Sequence, residues 1–270
     1  MNIMESNIIQ IGAQNSAEYS AFGDDCQIGN TLVYAFIIIK SDDIPTVEHR
    51  IAKLKEFYGI PPHIALHCRM LFSGDARRKA GINDLSKDKL HSIIRRIVKI
   101  INQTPISLRY AYCNLSTLEN HFKENNNEIE LRDRESKTIM KTSITPTPKG
   151  LLGLLGHMSL SAPSENKLIP SIEQCKIIVS EDKSKTRFIG KHERQAHNWM
   201  KGFSDINAPK NKVFQFYPVI KKLSDAPMLQ IADVAAYMCG QAINKSDRYN
   251  FTTQLKQIRL WTSTEFVIAT

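Results

Sequence analysis

Residues 17–40 read AEYSAFGDDCQIGNTLVYAFIIIK. The last part, TLVYAFIIIK, is dense in β-branched and aromatic side chains and meets no charge before Lys40. Such a run predicts a strand buried on both faces. Residues 17–25 predict a shorter strand before it, closed by Asp24 and Asp25. Cys26-Gln27-Ile28-Gly29-Asn30 supplies the turn between the two. The chain thus opens on a hairpin whose second strand must be covered above and below.

The elements around this hairpin follow from spacing. Val47, Ile51, Leu54 and Phe57 predict a helix over 46–58, which Pro61-Pro62 closes. Ser86 is placed to cap a second helix, in which Leu90, Ile93, Ile94, Ile97, Ile100 and Ile101 form one stripe. Its opposite face carries Lys87, Lys89, Arg95, Arg96 and Lys99, and Pro105 stops it. Alternation of Ile106, Leu108, Tyr110 and Tyr112 predicts a strand over 106–115. Residues 116–149 are charged and Asn-rich and predict a solvent-facing insertion. The apolar residues 151–160 resume the fold, and 161–172, with Pro163 and Pro170, read as loop. Strands are predicted over 175–179 and 213–223, and helices over 191–203 and 229–244. This alternation predicts an α/β domain with one mixed sheet over residues 17–245. Residues 1–16 form an extension, and 246–270 a C-terminal segment packed on the domain.

Composition narrows the function classes. The 270 residues include 36 Lys+Arg and 27 Asp+Glu, a net charge of +9 that favours an anionic partner. With 42% hydrophobic and 23% charged residues, the chain is not wholly disordered. No apolar run approaches the roughly 18–20 residues of a membrane span. MNIMESNIIQIG has neither the basic start nor the apolar core of a secretory signal. Five scattered cysteines without a CxxC pair argue against a disulfide scaffold and for a reducing cytoplasm.

Acidic residues recur where elements end: Asp24 and Asp25, then Glu181 and Asp182, and Asp233 inside an apolar helix. If these converge, their oxygens make a hard-ligand cage for Mg²⁺ or Mn²⁺. Without a cation, carboxylates at that spacing push at least one of them towards its neutral form. The plainer readings are a turn or cap for Asp24-Asp25 and a solvated loop for Glu181-Asp182. For Asp233 it is an acceptor for a neighbouring loop. Lys183, Lys185 and Arg187 follow the central acids and suit a phosphate contact. Arg69, with Arg77, Arg78, Lys79 and the basic helix face, suits a nucleic-acid backbone. His67 is a candidate proton shuttle or phosphate contact, against the plainer reading of a hydrogen-bonded core histidine. His63, His67 and Cys68 lack the second ligand pair that a structural zinc site needs. Cys26 lacks an adjacent histidine base in sequence.

The segment DAPMLQIADVAAY, residues 225–237, resembles the closing helix of the family catalogued as domain of unknown function 3800, with its LQ-apolar-AD-apolar-apolar-A-Y pattern. AFGDDC (21–26) followed by TLVYAFIII is similar to that family's opening motif. Asp24 stands at the first-acid position, Asp25 replaces the usual Glu, and Cys26-Gln27 replaces Ser-Gly. The acids after CKIIVS sit where members place a strand-end aspartate. Leu66-His67-Cys68-Arg69 with Leu71-Phe72-Ser73-Gly74 resembles a His-containing stretch of such proteins. The likeness runs from about residue 17 to 245. It implies an RNase H-like fold and a nuclease that hydrolyses phosphodiesters with two divalent ions, Mg²⁺ or Mn²⁺. Carried over, Asp24 bridges both ions, Glu181 or Asp182 is the central ligand, and Asp233 holds the outer ion. Asp25 is the alternative to Asp24. The implied partner is DNA or RNA, and defence against foreign nucleic acid is one expected setting. The competing expectation is a non-catalytic module that binds nucleic acid or protein on the same fold, with a protein partner or homo-oligomer left open.

Overall fold

The computed structural model describes residues 18–82, 84–124, 128–132, 139–143, 175–181, 219–244, 251–259 and 261–265. The apolar run becomes β2 (Thr31–Lys40), buried at every position except Lys40. Both of its faces are covered, as the sequence requires. Its partner β1 (Tyr19–Ile28) is longer than expected. The antiparallel ladder runs from Tyr19 opposite Lys40 to Ile28 opposite Thr31, leaving only Gly29-Asn30 as the turn. Gly29 has φ 56°, a conformation that glycine adopts without strain. Asp24 and Asp25 therefore lie inside the strand, opposite Ala35 and Tyr34, rather than at its end. The reason is the continuity of β2: once its backbone is extended, residues 26–28 find ladder partners.

A 3-10 turn at Ser41–Asp43 leads into α1 (Ile44–Phe57). Two short helices follow, α2 (Cys68–Leu71) and α3 (Gly74–Lys79). The long α4 (Lys87–Gln103) begins at Ser86, whose hydroxyl accepts the Lys89 N–H at 3.3 Å. Then come β3 (Ser107–Asn114) and α5 (Leu115–Glu124). A separate antiparallel hairpin, β4 (Glu128–Arg132) and β5 (Ile139–Ser143), lies in the expected insertion. That region thus holds regular structure of its own. After β6 (Cys175–Ser180) and β7 (Val219–Lys221) come α6 (Pro227–Ile243), α7 (Phe251–Lys256) and β8 (Trp261–Glu265). The expected elements at 151–160, 161–172 and 191–203, and most of the strand at 213–223, lie outside the described residues, as do 1–17.

The main sheet is mixed, in the order β7-β6-β1-β2-β3-β8. The strands β1, β2 and β3 form an antiparallel meander, β6 runs parallel to both β1 and β7, and β8 runs parallel to β3. This is an α/β fold with helices on the sheet. Phe22, Val33, Ala35, Ile37, Ile39, Leu108 and Ile178 share one face and pack into a single core with α1, α4, α6 and α7. Helix α6 is apolar almost all round, so it belongs between layers. It lies over β1 and β2, with α1, α2 and α7 against it.

One expected core position is corrected. Phe57 is 65% exposed, with the Arg96 guanidinium 4.2 Å over its ring. Val47, Ile51 and Leu54 keep to one narrow stripe, but at about 100° per residue position 57 has rotated off it. Tyr58 falls back on the stripe and packs against the core.

Candidate active site

The site is built on a polar stripe of α6. Gln230, Asp233 and Tyr237 are spaced i, i+3 and i+7, so they share a face. Gln230 and Asp233 are buried and must find partners. They find them in the backbone of residues 66–68. Gln230 Oε1 accepts the Leu66 N–H at 2.9 Å, and Asp233 Oδ2 accepts the Cys68 N–H at 2.6 Å. One turn further along, the Tyr237 ring stacks on Phe72 at 5.1 Å, and Phe251 of α7 meets both edge-on. The expectation that Asp233 serves as an acceptor for a neighbouring loop is therefore met. It does so from the helix that lies over β1.

Alternation along β1 puts Phe22, Asp24 and Cys26 on the face under α6, and Asp25 on the other. Asp24 is buried and accepts a hydrogen bond from the Ser180 hydroxyl at the end of β6 and another from the Asp25 N–H at 2.9 Å. Ser180 is uncharged and common at strand ends, so nothing in the sequence marks it as a partner of Asp24. The parallel register, Gly23 beside Val179, makes it the neighbour of Asp24.

Electrostatics report how close these groups stand. Burial first, then the fields of Asp233, Asp25 and Asp24, push the Cys26 thiol far above its ordinary range. Cys68 is pushed up by burial and then by Asp233. Neither is a ready nucleophile, since each is held as the thiol. Burial raises the Asp233 carboxyl to about 7, the hydrogen bonds from Cys68 oppose this, and Asp25 adds to it. Asp233 is thus driven towards its neutral form chiefly by its burial, with repulsion from Asp25 a lesser contribution.

His67 completes the arrangement. It caps α2 by accepting the Arg69 N–H on Nδ1 at 3.1 Å, so the ring proton sits on Nε2. Nδ1 lies 3.9 Å from Asp233 Oδ1. Burial lowers the pKa of His67 and Arg69 lowers it further, while Asp24 and Asp25 raise it, with a net shift downward. The imidazole is therefore neutral at pH 7. Arg69 is exposed on α2 beside it.

Comparison of the chain with known protein families, curated proteins and solved structures finds no match. The site stands on its own geometry. Of the acids expected to meet, Asp24 lies on the β1 face under α6, the helix that carries Asp233, and Asp25 lies on the reverse face of β1. Glu181 follows β6, where its N–H donates to the Lys221 carbonyl at 2.7 Å. Asp182, Lys183, Lys185 and Arg187 lie outside the described residues. Among the described residues, no three His, Cys, Asp or Glu side chains gather closely enough to hold one metal ion. No described helix is long and apolar enough to cross a membrane.

Proposed function

We propose that the chain is a divalent-metal-dependent nuclease of RNase H-like architecture, related to the family that its closing helix resembles. The observation that carries this reading is that Asp24, on the β1 face under α6, and Asp233, on α6 itself, lie more than two hundred residues apart in sequence yet both act on Cys26 and Cys68, with His67 3.9 Å from Asp233. The layout supports it: Asp24 lies within β1 beside the end of the parallel strand β6, which Glu181 follows, with a late helix laid over β1. The donor set suits Mg²⁺, which is commonly bound through one or two carboxylates, with water and substrate phosphates completing its shell. Asp24 and Asp233 would hold the ion, with Glu181 or Asp182 on the β6 side. A bound cation would supply charge for the scissile phosphate and an activated water. Neutral His67 offers Nε2–H as a donor, and exposed Arg69 suits a non-bridging phosphate oxygen.

The test is cleavage of single- and double-stranded DNA and RNA with and without Mg²⁺ or Mn²⁺, for the natural protein, Asp24→Asn and Asp233→Asn. Metal-dependent cleavage lost in both variants supports the reading, and cleavage that survives both overturns it. One observation favours the non-catalytic alternative. Asp24 and Asp233 already accept hydrogen bonds from Ser180, Asp25 and Cys68, which gives each a role in holding the fold. Nucleic-acid binding without cleavage on any substrate would decide for it.

A further inference from the structure

Residues 64–67 precede α2 and are not themselves helical, and α2 is only Cys68–Leu71. So short a helix does little to fix its own entry. The entry is fixed from α6. Gln230 is 2% exposed and both ends of its amide are engaged. Oε1 accepts the Leu66 N–H and Nε2 donates to the Leu223 carbonyl, each at 2.9 Å. This orients the amide, since its carbonyl must face a donor and its amino group an acceptor. Asp233 takes the Cys68 N–H on the other side of His67. The imidazole is thus carried by a residue whose two neighbours are both tied to one helix.

We infer that Gln230 is a positioning residue for His67. With Asp233, it pins the backbone on either side of the histidine and so keeps the ring in a single tautomer beside the acids. This rests on the reading of Asp24, Asp233 and His67 as the site, but its test needs no cleavage.

The experiment is NMR of the full chain at about pH 8, where the histidine is neutral. It reads the ring nitrogen shifts of His67 and the hydrogen exchange of the Leu66 and Cys68 amides in three proteins. The natural protein should show the Nε2–H tautomer. Gln230→Met keeps the length and removes both hydrogen bonds. It should move the ring nitrogens towards the average of two tautomers and speed Leu66 exchange by about tenfold, leaving β2 protected. Gln230→Glu keeps an acceptor for Leu66 but loses the donor to the Leu223 carbonyl, so it should fall between the other two. Unchanged His67 nitrogens in Gln230→Met would overturn the inference. So would faster exchange shared equally by β2, which marks a general loss of stability. If Gln230→Met does not fold, Gln230→Glu decides: ring nitrogens moved towards the average together with faster Leu66 exchange support the inference, and nitrogens unmoved while Leu66 exchanges faster overturn it. Absence of cleavage in the natural protein would remove the nuclease reading and leave these spectra as they are.

Discussion

Asp233 is where the chemistry of the site can be read most directly. Its carboxyl titrates at about 7 in the fold against an ordinary 3.8, chiefly because it is buried. Between those values the folded chain holds a proton that the unfolded chain has lost. The resulting stability is full below about pH 4, falls as pH rises, and is gone above about 7. We expect the stability difference between the natural protein and Asp233→Asn, from urea unfolding across pH 4.5–8, to follow that curve. A flat difference would show that the acid titrates normally. Asparagine keeps an oxygen for the Cys68 N–H, so the loop should stay in place while the charge is lost. A divalent cation requires the ionised form, so Mn²⁺ affinity should rise with pH and level off near 7. Titration calorimetry at several pH values would check this, and Asp233→Asn should weaken binding by at least tenfold. The sequence announced that Asp233 needed a partner, because a lone carboxylate in LQIADVAAY cannot stay buried unsatisfied. It could not say which partner, since Cys68 lies far off along the chain and contributes only its backbone N–H. Gln230 carries the same signal, an amide in an apolar helix that must find partners when buried.

At the level of the strands, the buried hairpin was legible because nothing interrupts the apolar run of β2. The length of β1 was not, because GDDCQIGN is rich in turn-forming residues and only its pairing with β2 keeps it extended. Gly23 shows how tight that pairing is. It lies opposite Phe36, and a Cβ there would press into the Phe36 ring. The ring is buried and leans on Tyr34 at 5.1 Å between centroids, so it has little room to yield. Gly23→Ala should cost about 1–3 kcal/mol by overpacking, read as a lower urea midpoint at unchanged slope. Adding Phe36→Leu should recover part of the loss, because the two changes share one contact. Strictly additive losses would mean that the ring is not the obstacle. Since Gly23 precedes Asp24 directly, the same shift should be felt in metal affinity.

Across the whole molecule, the excess of nine positive charges is the feature that bears on the partner. Exposed Lys87, Lys89, Arg95, Arg96 and Lys99 crowd the outer side of α4 against one exposed acid, Asp88. Arg69 stands apart from them, beside His67. These two groups make different predictions. If a phosphate is drawn to the acids, Arg69 should release a counterion each time nucleic acid binds, whatever the sequence bound. Arg69→Gln should then lower the slope of log affinity against log salt by roughly 0.7–0.9 for one lost phosphate contact. Asp233→Asn, which removes charge of the opposite sign, should leave that slope in place or bind more tightly, because the repulsion it removes acts on the same phosphate. Filter binding or fluorescence anisotropy without divalent cation, where the acids keep their charge and metal-dependent cleavage does not proceed, would measure both. A slope unmoved by Arg69→Gln but lowered by Arg95→Gln with Lys99→Gln would place the track on α4. The backbone would then run along a surface set apart from Asp24 and Asp233, and the acids would lose their substrate.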